Sequence, residues 1–165
     1  MPLPSWGKRM SGKEEPLVIG GTERRGPLVR RRIEAGALIR YARATGQTNP
    51  FYTDEKAAKE GPFGALIAPP TYIGTFGNEA FEGVFPETPE YGMFLHSSDS
   101  VVQHEPIRAD DLIEAQAVLA SRTLKDSRQG SMLLQTGIMT LTNQHGRCVA
   151  TVEVGMASFN PGGAA

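Results

Sequence analysis

Apolar residues recur at helical spacing from Ile33 to Ala44. Ile33, Ala37, Leu38, Tyr41 and Ala44 share one face, while Glu34, Arg40 and Arg43 lie mainly on the other. This pattern predicts a helix, with Gly46 at its C-terminal stop. A shorter helix follows over Thr53 to Glu60. Thr53 is a good N-cap, Asp54 and Glu55 fall in the first turn where the helix dipole favours acids, and Gly61-Pro62 ends it. A third helix is expected from about Pro70 to Glu82, because the Pro69-Pro70 pair suits only a helix start or a turn. Tyr72, Ile73, Phe76, Ala80 and Phe81 make most of its surface apolar, which predicts burial. Its glycines, Gly74 and Gly77, each cost about 1 kcal/mol against alanine and point to close packing against a sheet.

From Met93 onward the period changes to two. Strands are expected over Phe94 to Gln103, Leu112 to Ser121, Ser131 to Thr142 and Arg147 to Ala157. In the second, Ile113, Ala115, Ala117 and Leu119 share a face; in the last, Cys148, Ala150, Val152, Val154 and Met156 point inward. Lys125 to Gly130 reads as a turn. Asn143-Gln144-His145-Gly146 reads as a tight hairpin connection with His145 in solvent. Leu28 and Val29 give the arginine-rich stretch Arg24 to Arg32 the character of a short edge strand. One buried helix and one antiparallel sheet make a two-layer α+β fold.

Composition adds mainly exclusions. A chain of 165 residues with 39% hydrophobic and 21% charged residues fits one soluble globular domain, taken as 24–160, between a flexible arm (1–23) and a flexible tail (161–165). The net charge of −1 argues against a nucleic-acid partner. No apolar run approaches the ~20 residues a membrane span needs. The single cysteine, Cys148, excludes an internal disulfide framework and suits a reducing cytoplasm. His96, His104, His145 and Cys148 show no metal-ligand spacing, so no metal is expected.

Candidate chemistry centres on the loop Ala44 to Tyr52. Gly46 tolerates positive φ, and Pro50 forces Asn49 into an extended turn, so the loop presents polar side chains between two helices. His104 precedes a proline at a strand end, where a structural hydrogen bond competes with a catalytic role. His96-Ser97-Ser98-Asp99 invites a triad, but neighbours on one strand point to alternate faces. Asp110-Asp111 suits the turn into the next strand. The five arginines from Arg24 to Arg32 are either a solvated edge or a cradle for the phosphates of an acyl carrier.

Three segments carry a resemblance: Gly46-Gln47-Thr48-Asn49-Pro50-Phe51-Tyr52-Thr53-Asp54, Ala68-Pro69-Pro70-Thr71-Tyr72, and His104-Glu105-Pro106-Ile107-Arg108-Ala109-Asp110-Asp111. Together with the order of elements from Leu28 to Phe159, they resemble the MaoC-like (hydratase-2 type) hot-dog family. The match is closest to the FAS1-like dehydratase domain subgroup, which includes the substrate-holding subunit of two-subunit (3R)-hydroxyacyl-carrier-protein dehydratases. The resemblance implies an antiparallel sheet wrapped around a central helix, and a homodimer or heterodimer with a second hot-dog subunit. It also implies an acyl thioester carried on CoA or a carrier protein, with no further cofactor. Active members carry an aspartate and a histidine at the positions held here by Gln47 and Tyr52. An amide has no titratable proton near neutrality and a phenol is a poor base there. The resemblance further places substrate contacts at Asn49 and at the start of the central helix: Pro70, Thr71, Tyr72 and Ile73. There a backbone N–H polarises the thioester carbonyl. Three readings stay open. The chain is an acyl-binding subunit whose partner supplies the Asp/His pair, or a self-sufficient hydratase using Tyr52, or a thioesterase with Glu79 or Glu82 as its carboxylate.

Overall fold

The computed structural model describes residues 17–18, 24–127 and 130–160. Six antiparallel strands form one sheet: β1 (Leu17–Val18), β2 (Val29–Arg32), β3 (Met93–Gln103), β4 (Leu112–Ser127), β5 (Gly130–Thr142) and β6 (Cys148–Phe159). Their order is β1-β4-β5-β6-β3, and β2 also pairs with β4. Between β2 and β3 lie α1 (Ala35–Ala44), α2 (Pro50–Thr53), α3 (Glu55–Glu60), a 3₁₀ helix (Pro70–Phe76) and α4 (Gly77–Ala80). The curled sheet closing on a central helix is the hot-dog arrangement. Leu17–Val18, inside the segment expected to be an arm, pairs with β4; the rest of 1–23 and all of 161–165 lie outside the described residues.

The core sits between the sheet and the central helix. Tyr72, Ile73, Phe76 and Ala80 from the helix pack with Ile113, Ala115, Ala117, Met139, Leu141, Ala150 and Val152 from the sheet. Phe76 is fully buried, and the Arg31 guanidinium lies 4.5 Å from its ring centre.

The central helix differs from expectation in two ways. It is a 3₁₀ segment running into one α turn rather than a single helix to Glu82, consistent with two glycines of poor α propensity close to the proline start. Gly74 and Gly77 also do not meet the sheet: a side chain at either would find no heavy atom within 4 Å. The close approaches occur instead at Gly26, where an added Cβ would run into the Ala80 carbonyl, and at Gly137, where it would meet the Phe81 and Phe85 rings.

Bulges explain the errors in strand reading. β4 continues to Ser127 rather than turning at Lys125, because an irregularity between Leu119 and Ser121 shifts the alternation. Beyond it the pairing resumes as Thr123 with Leu134 and Leu124 with Leu133. At the start of β6, Leu141 pairs with Ala150 but Thr142 with Cys148. The extra residue buries Val149 beside Ala150 and leaves Cys148 exposed, not inward. In the first helix, Ile33 is buried but precedes α1, and Ala42 rather than Ala44 faces the core.

Candidate active site

The Asn-Pro turn builds the loop from its own backbone. Asn49 Oδ1 accepts the Phe51 N–H at 3.0 Å, capping α2, with Pro50 as first residue. Thr53 belongs to that turn; Asp54 caps α3 instead, accepting from Lys56 N–H at 2.8 Å and Ala57 N–H at 3.1 Å. Asn49, expected to contact substrate, thus has a side-chain oxygen already engaged in capping. The loop is pinned to the rest of the fold through Phe51. Its carbonyl accepts Ile67 N–H at 3.1 Å, its ring meets Phe63 edge-on at 6.1 Å, and a side chain at Gly61 would run into it. Ala68 N–H in turn donates to the Ile107 carbonyl at 2.8 Å. The 67–70 segment is thereby fixed beside the strand end.

These contacts hold open a cleft of about 290 Å³. Tyr52, Phe63 and Pro70 line it from the helical side, and Gln103, His104 and Glu105 from the end of β3. Glu105 pairs with Arg147 at 3.1 Å, and His104 Nε2 lies 3.4 Å from Thr151 Oγ1. Gln103 Nε2 donates to the Glu105 carbonyl at 3.2 Å. Tyr52 therefore stands in the cleft, whereas Gln47 is half-buried and does not line it. The two candidate catalytic positions are not brought to one wall.

The helix start divides its expected roles. Tyr72 N–H donates to the Pro69 carbonyl at 2.8 Å, and the Tyr72 and Ile73 side chains are core residues, 6% and 1% exposed. Tyr72 meets Tyr41 edge-on at 5.1 Å. The Tyr72 and Ile73 side chains therefore pack the core and do not line this cleft. Pro70 has no N–H to give. Thr71 is the first donor of the 3₁₀ helix and has no hydrogen-bond acceptor among the described residues, as expected for a helix N-terminus. It sits next in the chain to the cleft-lining Pro70.

Other candidates fall away on geometry. Glu79 lies outside the cleft, its carboxylate 2.7 Å from Arg31, and Glu82 is exposed and does not line it either. Arg30 pairs with Glu114 at 2.7 Å, Arg32 lies 3.7 Å from Asp110, and Arg24 donates twice to the Gly83 carbonyl. These arginines are thus engaged locally rather than converging on a phosphate site. Asp111 serves the turn as expected, accepting from Arg108 N–H at 2.7 Å and the Gln144 amide at 2.9 Å. His96 and Asp99 do meet, at 2.8 Å, against expectation. A bulge between His96 and Ser98 restores both to one face. Ser97 and Ser98 hydroxyls both crowd over Gly155, away from that pair, so no triad forms.

The FAS1-like, dehydratase domain region family profile matches residues 21–152. The chain belongs to the FAS1-like dehydratase domain family. Within curated proteins, it is 31% identical over 92 residues to a UPF0336 protein of Parafrankia sp., covering 51% of this chain and 58% of that relative's length. Among solved structures, the chain superposes on the (3R)-hydroxyacyl-ACP dehydratase HadBC complex of Mycobacterium tuberculosis with a TM-score of 0.64 at 20% identity, covering 82% of this chain and 95% of the other. The ChsH1-ChsH2 complex of the same organism gives 0.65 at 18% identity, covering 87% and 90%. At these identities the likeness is one of fold. Family membership makes this a hot-dog dehydratase/hydratase relative. No helix among the described residues is long and apolar enough to cross a membrane.

Proposed function

We propose that the chain binds an acyl thioester as the substrate-holding subunit of a (3R)-hydroxyacyl dehydratase or enoyl hydratase, and that a second hot-dog subunit supplies the aspartate and histidine. The observation that carries this reading is the helix start next to the cleft, set against the residues at the two motif positions. An unpaired N–H at Thr71 beside Pro70 suits a thioester carbonyl, yet the positions that hold the acid and base in active relatives are Gln47 and Tyr52. Polarising a carbonyl needs only a positioned donor, whereas hydration also needs a group that takes and returns a proton. The chain keeps the first element and lacks the usual form of the second. The two mycobacterial complexes named above pair two different hot-dog chains, which agrees with a partner role. Acyl-CoA and acyl-carrier protein are both candidate carriers, and the proposed location is the cytoplasm.

Hydration of crotonyl-CoA, followed by loss of enoyl-thioester absorbance, tests the proposal. The chain alone should be inactive, and turnover of ~1–10³ s⁻¹ should appear only when a hot-dog subunit with an intact Gly-Asp-x-Asn-Pro-x-His motif is added. Turnover by the chain alone at that rate would overturn the partner role. It would favour the self-sufficient reading, in which Tyr52 acts beside His104 and Glu105 in the same cleft.

A further inference from the structure

The inner face of the sheet turns polar at one place. Along β5 the inward positions run Leu141, Met139, Gly137, Gln135 and Leu133, all buried. Met139 and Leu141 pack with the central helix in the core. Gly137 takes the Phe81 and Phe85 rings, which stack on each other just past the end of α4. Gln135 comes next and is 1% exposed, yet neither its Oε1 nor its Nε2 has a hydrogen-bond partner among the described residues. Arg122 stands directly across from it on β4, half-buried, with its Nε shielded from solvent and equally unpartnered. No ion pair among the described residues involves Arg122. Buried polar atoms are nearly always hydrogen-bonded, because leaving one unpaired costs its full desolvation. Two such residues facing each other across one ladder point to a ligand.

The pair lies beneath a cleft distinct from the one at Tyr52. Phe85 sits over Gly137, while Thr88 Oγ1 donates to Ser158 Oγ at 2.9 Å, and Ser158 is the cross-strand partner of Leu133. Gln135 lies between Gly137 and Leu133, so the 85–88 segment passes over it. That segment, with Pro89 and Phe94, lines a cleft of about 300 Å³ whose walls are mostly apolar. The central helix stands between this cleft and the one at Tyr52, and at 3₁₀ and α rises it spans roughly 20 Å. Glu87 also lines the second cleft and is exposed, so a ligand's negative charge is disfavoured there and favoured at Arg122.

We propose that Arg122 and Gln135 form a carboxylate-binding site, and that the cleft between Phe85 and Phe94 holds the aliphatic chain attached to that carboxylate. The ligand class is a free aliphatic carboxylate. Its oxygens accept from the Arg122 Nε–H and from the Gln135 amide, which satisfies two of the three orphaned atoms, one of them by a charge-assisted bond. One guanidinium suits a singly charged carboxylate better than a doubly charged phosphate. The inference does not rest on the thioester reading, since its readout is binding of a free carboxylate at the far end of the helix from Thr71.

The test is calorimetric titration of the full chain with octanoate, and with octanamide as the uncharged analogue of the same shape. Octanoate should bind saturably, one per chain, and at least tenfold more tightly than octanamide. Gln135→Met, close in shape but without the amide, should weaken octanoate at least tenfold without lowering Tm, because it removes two unpaired buried atoms. A glutamine with a purely structural role would lose stability instead, and that outcome overturns the proposal. Arg122→Met should abolish the preference for octanoate over octanamide. Phe94→Asp, which puts a like charge in the cleft, should also weaken octanoate. Saturating crotonyl-CoA should leave octanoate binding unchanged; competition would place octanoate in the Tyr52 cleft and overturn the site. No saturable binding at ~1 mM octanoate, equal affinity for the two probes, or unchanged affinity in Arg122→Met or Phe94→Asp would each refute it.

Discussion

Two glycine-to-alanine changes should move stability in opposite directions, for reasons that sequence alone reverses. At Gly137 an added methyl would lie 2.7 Å from Phe81 Cε1 and 2.8 Å from Phe85 Cζ. Carbon contacts are comfortable at about 3.5–4.0 Å, so both rings must retreat by most of an ångström. They stack on each other with centres 5.7 Å apart, so neither moves without the other. Overpacking of this kind costs about 1–3 kcal/mol, offset by about 0.4–1 kcal/mol from the reduced freedom of the unfolded chain. The net expectation is a loss of about 1–2 kcal/mol, or about 2–8 °C in Tm for a chain of this size. At Gly74 nothing lies within 4 Å, so Gly74→Ala should gain about 0.5–1 kcal/mol from helix propensity alone. Scanning calorimetry of both variants measures the two signs. Adding Phe85→Leu to Gly137→Ala should recover at least about 0.5 kcal/mol relative to the sum of the single changes, the coupling expected of residues in contact. A neutral Gly137→Ala, or strict additivity with Phe85→Leu, would refute the close-packing account.

Three further outcomes probe the cleft and its surroundings. Thr71→Pro removes the unpaired N–H while suiting the first helical turn, so thioester hydration in the partnered enzyme should fall ~10²–10³-fold; Thr71→Ala, which keeps the N–H, should fall far less. Asn49→Ala should cost about 1 kcal/mol in thermal unfolding through loss of the α2 cap, and a much larger drop in acyl-CoA binding than in stability would show that Asn49 also touches substrate. Glu79→Gln should leave acyl-CoA hydrolysis, read as free thiol, at background and change stability by less than about 1 kcal/mol, because its ion pair with Arg31 is exposed. Thiol release by the wild-type chain that Glu79→Gln abolishes would restore the thioesterase reading.

What the sequence disclosed, and what it hid, follows from the range of the interactions involved. The Asn49-Pro50 turn and the proline start of the central helix are local: capping and a fixed φ determine them within a few residues, and both stand where expected. The inner face of β4 was legible where alternation ran unbroken, as in Ile113, Ala115 and Ala117. Where a bulge inserts a residue, the period of two continues on paper but not in space. Cys148 is therefore outside and Val149 inside, β4 outlasts its expected end, and His96 meets Asp99. Such an insertion depends on how two strands distant in sequence pair, so no single stretch records it. The glycines were misread for a related reason: a missing side chain in a buried helix marks either an opposing backbone or open space, and only the fold tells which. The same limit applied to function. Gln47 and Tyr52, at the positions where the resemblance expects an acid and a base, could be read residue by residue. The engagement of Tyr72 N–H by Pro69, which leaves Thr71 as the free donor, required the helix type itself. A 3₁₀ start satisfies its third N–H one residue earlier than an α-helix does, and that single residue decides which amide is left without an acceptor.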